Sequence, residues 1–99
     1  VRISEKVIKH IFKRHMDWIK MLGLSSEVEV KNFLVQVSSR PDEVYRDKVR
    51  SDVKYFLRRL NNKFLCIVVV SDEVVTAYLI NSEKYVKYRI RRWIRGDWK

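Results

Sequence analysis

Apolar residues follow two rhythms along this chain. Up to Pro41 they recur three and four apart; beyond it they gather in short β-branched and aromatic runs. Val7, Ile8, Ile11, Phe12, Ile19 and Leu22 wind onto one stripe of a helix. Ser4 is placed to cap its start and Gly23 to stop it, so the spacing predicts a first helix from about Glu5 to about Leu22. His15 falls in the middle of the stripe, Arg14 at its edge and His10 beyond it. Ser25 or Ser26 opens a second helix with Val28, Phe33, Leu34 and Val37, although Val28-Glu29-Val30 would also suit an extended chain. Pro41 closes it, because the residue before a proline avoids helical angles.

The remainder reads as strands. Val44 to Val49 alternates loosely and Arg50-Ser51-Asp52 turns the chain. Val53 to Leu60 is a second run, and Asn61-Asn62 is a two-residue hairpin signal because asparagine tolerates positive φ. Lys63 to Val70 is nearly continuous in apolar residues, so both faces of that strand should be covered. Ser71-Asp72-Glu73 turns again before Val74 to Ile80, where alternation puts Val74, Thr76, Tyr78 and Ile80 on one face and Val75, Ala77 and Leu79 on the other. The expected fold is α+β: two N-terminal helices packed on a four-stranded antiparallel meander. Residues 1–99 form one domain, with 1–40 helical, 43–80 the sheet and 84–99 a basic, aromatic tail. That tail suits a further strand, a short helix or a mobile arm.

Charge changes the picture more than composition does. Twenty-two Lys and Arg against twelve Asp and Glu give +10, of which the tail carries +6. Lys84, Lys87, Arg89, Arg91, Arg92, Arg95 and Lys99 face a single acid, Asp97, with Tyr85, Tyr88, Trp93 and Trp98 interleaved. A small domain this basic is expected to meet a polyanion, nucleic acid first and an anionic membrane surface second. No apolar run is long enough to span a bilayer and no signal-peptide pattern opens the chain, so an intracellular, cytoplasmic protein is expected. The lone Cys66 lies in the apolar strand, where a free thiol acts as a small apolar residue.

Candidate chemistry narrows by elimination. Two histidines and one cysteine do not make a zinc set, and two glycines do not make a phosphate loop. No metal or cofactor is expected. What remains is His15 with Arg14, further arginines, and Thr76 with Tyr78. By itself His15 reads as a core imidazole satisfied by a neighbour, and Arg14 as a solvated rim charge. Together these groups suit metal-free RNA cleavage, in which the 2′-hydroxyl attacks the adjacent phosphate. Imidazole exchanges protons near neutral pH, and guanidinium holds the growing charge.

One order of short motifs has a familiar look. Ile3 to His15 ends in Arg14-His15; Arg40-Pro41-Asp42-Glu43-Val44-Tyr45-Arg46-Asp47 follows; then Lys54-Tyr55-Phe56-Leu57-Arg58-Arg59, Lys63 to Val70, and Val75-Thr76-Ala77-Tyr78. The chain resembles phage-associated members of the barnase, EndoU, colicin D and RelE-like nuclease superfamily over residues 3–80. It departs from them at Met16-Asp17, where Pro-Glu is expected. The resemblance implies a metal-independent endoribonuclease, toxin-like or phage-derived. His15 would be its general acid or base, with Arg14, Arg46 and Arg58 on the phosphate, Thr76 positioning it, and Tyr78 supporting Thr76 or stacking on a base. Lys54, Lys84, Lys87, Tyr88, Arg89, Arg91 and Arg92 would contact the RNA. The rival expectation is a basic nucleic-acid-binding module without catalysis. Expected partners are RNA and an acidic antitoxin or inhibitor protein, with no membrane.

Overall fold

A computed structural model describes residues 1–95, Arg95 by its backbone alone. The tail residues Asp97, Trp98 and Lys99 lie outside the described residues. Helices α1 (Glu5–Arg14), α2 (Met16–Met21) and α3 (Glu27–Ser39) precede strands β1 (Glu43–Asp47), β2 (Val53–Leu60), β3 (Lys63–Val70) and β4 (Glu73–Asn81); helix α4 (Ser82–Arg91) and strand β5 (Trp93–Arg95) follow. The α+β class and the antiparallel meander are as expected. The additions are one helix break and a tail that becomes an α4–β5 unit.

The break falls at His15. Its backbone leaves helical geometry at φ −126° and ψ 49°, so the long first helix divides into α1 and α2. Ser4 caps α1 by accepting from the Val7 amide, and Ser26 caps α3 by accepting from the Glu29 amide. Gly23 stops α2 with φ +72°, a conformation a Cβ would strain.

The sheet runs β4-β3-β2-β1-β5, with every ladder antiparallel. Leu60 pairs with Lys63 around Asn61, which has φ 57°. Val70 pairs with Glu73 around Ser71 and Asp72, at φ 50° and 67°, the primed-turn geometry that matches strand twist. A bulge then breaks the alternation of β4. Val68 pairs with Thr76 but Val69 pairs with Val74, leaving Val75 as the extra residue, 42 % exposed. The expected grouping of Val74 with Thr76, Tyr78 and Ile80 is corrected by this bulge. Val74 packs with Ala77 and Leu79, while Tyr78 and Ile80 pack on the other face.

Both faces of β3 are covered. Leu65, Ile67 and Val69 join Ile8, Ile11, Trp18, Ile19, Val30, Leu34 and Val37 in the core under α1–α3. Phe64 and Cys66 join Tyr45, Tyr55, Leu57, Ile80 and Trp93 in a second core, against which Tyr85 and Tyr88 of α4 pack. The molecule is therefore three-layered, α4 forming the layer that the two-helix reading lacked. The open edge of β4 is closed at two places. The indole of Trp18 donates to the Ala77 carbonyl at 3.1 Å, and Arg2 exchanges backbone bonds with Asp72 and Val74.

Candidate functional site

The basic tail folds because its aromatic residues find a sheet to pack on. Asn81 caps α4, accepting from the Lys84 amide at 2.8 Å, and Arg89 and Arg91 sit at the helix end that favours cations. Tyr85 stacks on Phe64 at 4.1 Å between centroids, and Trp93 stacks on Tyr45 at 4.9 Å. Glu43 accepts from both Tyr45 and Tyr85 hydroxyls, at 2.5 and 2.6 Å. Burial first, then the bond to Glu43, pushes the Tyr45 hydroxyl far above its ordinary pKa. Arg89 lies over the rings of Tyr45 and Tyr85, and Arg92 over Tyr88 at 4.5 Å. Tyr85, Tyr88 and Trp93 are thus mostly packing groups, and Tyr88 keeps only a partial exposure. The exposed side of α4 carries Lys84, Lys87 and Arg91, one below the other at helical spacing.

Where α4 ends, it meets the turn after β1 and encloses a cleft of about 420 Å³. Asp47, Lys48, Val49, Lys87, Tyr88, Arg91 and Arg92 line it. The β1–β5 ladder builds this junction: the Lys48 amide donates to the Arg92 carbonyl at 2.9 Å and its ammonium to the Ile90 carbonyl at 2.6 Å. The one acid of the cleft is engaged elsewhere. Asp47 accepts from the Val49 and Arg50 amides and from the Tyr55 hydroxyl at 2.7 Å. The Tyr55 bond holds its carboxyl below the usual range despite some burial. Among the described residues Lys87, Arg91 and Arg92 make no salt bridge. Among the described lining residues Lys48, Lys87, Arg91 and Arg92 thus outnumber the one carboxylate, Asp47, whose charge is felt by Arg92, and the cleft holds an excess of positive charge.

The proposed proton-transfer group lies elsewhere, beside the β4 edge. His15 Nε2 stands 3.5 Å from Thr76 Oγ1, at the limit of a hydrogen bond, and its ring is edge-on to His10 at 6.0 Å. The imidazole is half-buried, and burial lowers its pKa from 6.5; His10 and Arg14 lower it further, against an opposing pull from Asp17. His15, Arg14 and Thr76 are thus brought together. Arg46 and Arg58 are not. Arg58 lies two strands in from β4, donating to the Arg40 carbonyl at 2.7 Å and facing Asp42 at 3.7 Å. Arg46 is exposed on β1, three strand spacings from β4, roughly 14 Å.

Comparison with protein-family models, curated proteins and solved structures finds no match. What the surface can do follows from its own chemistry. Tyr78 is partly buried in the second core beside Cys66, and burial raises its hydroxyl pKa well above the ordinary value. The Cys66 thiol is buried and pushed up to about 12, which leaves it inert. No three His, Cys, Asp or Glu side chains converge as a metal set among the described residues. No helix among them is long and apolar enough to cross a membrane. Lys48 escaped the sequence reading; no local pattern marks it, since its place in the cleft depends on β5 pairing with β1. Lys54 is exposed on β2, across the ladder from Arg46 and apart from the α4 cations.

Proposed function

We propose that the protein binds RNA in the cleft between α4 and the turn after β1, in a cytoplasmic setting. The observation that carries this reading is the convergence of Lys87, Arg91 and Arg92 around an Asp47 already engaged by hydrogen bonds. Phosphates are the ligand that such cations suit, and Tyr88 offers an aromatic surface beside them. Each phosphate contact to a single strand contributes about 0.7 to the slope of log affinity against log salt. The double variant K87A/R91A should therefore weaken binding of a single-stranded RNA and flatten that slope by about 1.4. Titration of a labelled oligonucleotide at several salt concentrations measures it. An unchanged slope ends the reading.

A second reading is metal-independent endonucleolytic cleavage, and the observation favouring it is the approach of His15 to Thr76 beside Arg14. The motif resemblance points the same way. A lowered pKa keeps the imidazole neutral at pH 7, the form a general base needs. Protein incubated with total RNA and a chelator should leave 2′,3′-cyclic phosphate ends, and His15→Ala should abolish them with the fold intact. Cleavage that needs added magnesium, or that survives in the variant, removes His15 from the role.

A further inference from the structure

The β1–β5 side of the sheet carries positive charge on both faces. Tyr45 and Asp47 face α4, the first stacking on Trp93 and the second lining the cleft. Strand alternation puts Arg46 on the opposite face. Its ladder partners are Lys54 on β2 and Ile94 on β5, so these three residues share that face. All three are exposed, whereas α1, α2 and α3 cover β3, β4 and part of β2. Arg46 and Lys54 are direct cross-strand neighbours, roughly 5 Å apart at Cα. Like charges so placed destabilise a sheet. Among the described residues neither side chain makes a salt bridge. Asp52, which shares a surface depression with Lys54, is paired with Arg50 at 2.8 Å. Asp72 is the other acid of that depression, and the direction from Lys54 through Arg46 to β5 leads away from it.

The two cationic surfaces are close in the chain. Arg46 is adjacent to Asp47 and two residues from Lys48, both in the cleft. Among the described residues the edge of the sheet stands between the two surfaces, where β5 is three residues long. We propose that a single-stranded RNA seated in the α4 cleft continues around the β1–β5 edge onto Arg46 and Lys54, so that the binding surface is a band. This inference rests on the RNA-binding reading of the cleft. A flexible single strand can turn around an edge one sheet thick. A duplex resists so sharp a turn, since the persistence length of duplex DNA is about 50 nm.

Labelled oligouridines of about 4 and about 12 nucleotides test the band, a span typical of small single-strand-binding surfaces. The longer strand should bind wild-type protein more tightly, with a salt slope steeper by about 1.4 for two more phosphate contacts. R46A/K54A should remove that excess while leaving the short strand unaffected. R46Q/K54Q should do the same, and the far-ultraviolet circular dichroism of both should match wild type. K6A/K9A removes two exposed lysines of α1 and should change neither length. The band is overturned if R46A/K54A binds the long strand as wild type does, or if K6A/K9A loses as much. Failure of the underlying reading has a separate signature: K87A/R91A would then leave the short strand's affinity unchanged.

Discussion

At the scale of single residues, Trp18 ties the helical layer to the sheet edge. Its ring is fully buried beside Phe33 and its N–H satisfies the Ala77 carbonyl of β4. Trp18→Phe removes that donor and opens space in a close-packed core. It should cost about 1–3 kcal/mol, read as a lower urea midpoint with an unchanged denaturant slope. His15 shows a different balance. Burial depresses its pKa, so the folded state holds fewer protons there than the unfolded chain. Its contribution to stability is therefore present above pH 6.5 and lost as pH falls through the lowered value. Any cleavage using His15 as base should decline over the same acid limb, and a pH–rate profile reports it. The half-exposed ring fits neither the sealed core histidine nor a histidine set among several guanidiniums.

At the scale of elements, the β3–β4 hairpin and its bulge decide how β4 presents its side chains. Ser71 and Asp72 both have positive φ, a cost for residues with a Cβ. Ser71→Gly should raise stability by about 0.5–1 kcal/mol, the relief of the left-handed strain less the added freedom of the unfolded chain. Ser71→Val should lower it, since a branched residue is a true outlier at that φ. Urea denaturation of the two variants against wild type measures both signs. The α4–β5 unit is the other decisive element. Its buried side comes from Tyr85, Tyr88 and Trp93, and its exposed side from Lys84, Lys87 and Arg91. A sixteen-residue run of alternating cations and aromatics reads equally as helix, strand or arm. The choice falls to helix because the second face of the sheet needs covering. Phe64, Cys66 and Ile80 would otherwise stand in water, at roughly 25 cal/mol for each Å² of apolar surface.

At the scale of the whole molecule, the net charge of +10 falls on both helical layers. Lys48, Lys87, Arg91 and Arg92 gather on the α4 side with Arg46 and Lys54 behind them, and α1 carries Lys6, Lys9, Lys13 and Arg14 beside the two histidines. Three contacts in the cleft alone correspond to a salt slope near 2.1, and the full band to about 3.5, so the wild-type slope itself reports how far an RNA extends. The motif order that links Arg14-His15 to Thr76 does correspond to a spatial approach. The same order does not bring Arg46 or Arg58 with it, because β3 separates Arg58 from β4 and β2 and β3 separate Arg46 from it.

Local patterning determined the helix stripes, the four meander strands, the hairpin residues and the concentration of charge in the tail, because these depend on neighbours within one turn or one ladder step. The tertiary structure decided which residues meet. The docking of α4 and the pairing of β5 with β1 join residues far apart in sequence, and the bulge that turns Val74 is set in the register of β4 on β3. Their free energy comes from burying surface that no single segment covers alone, and that total is a property of the assembled layers.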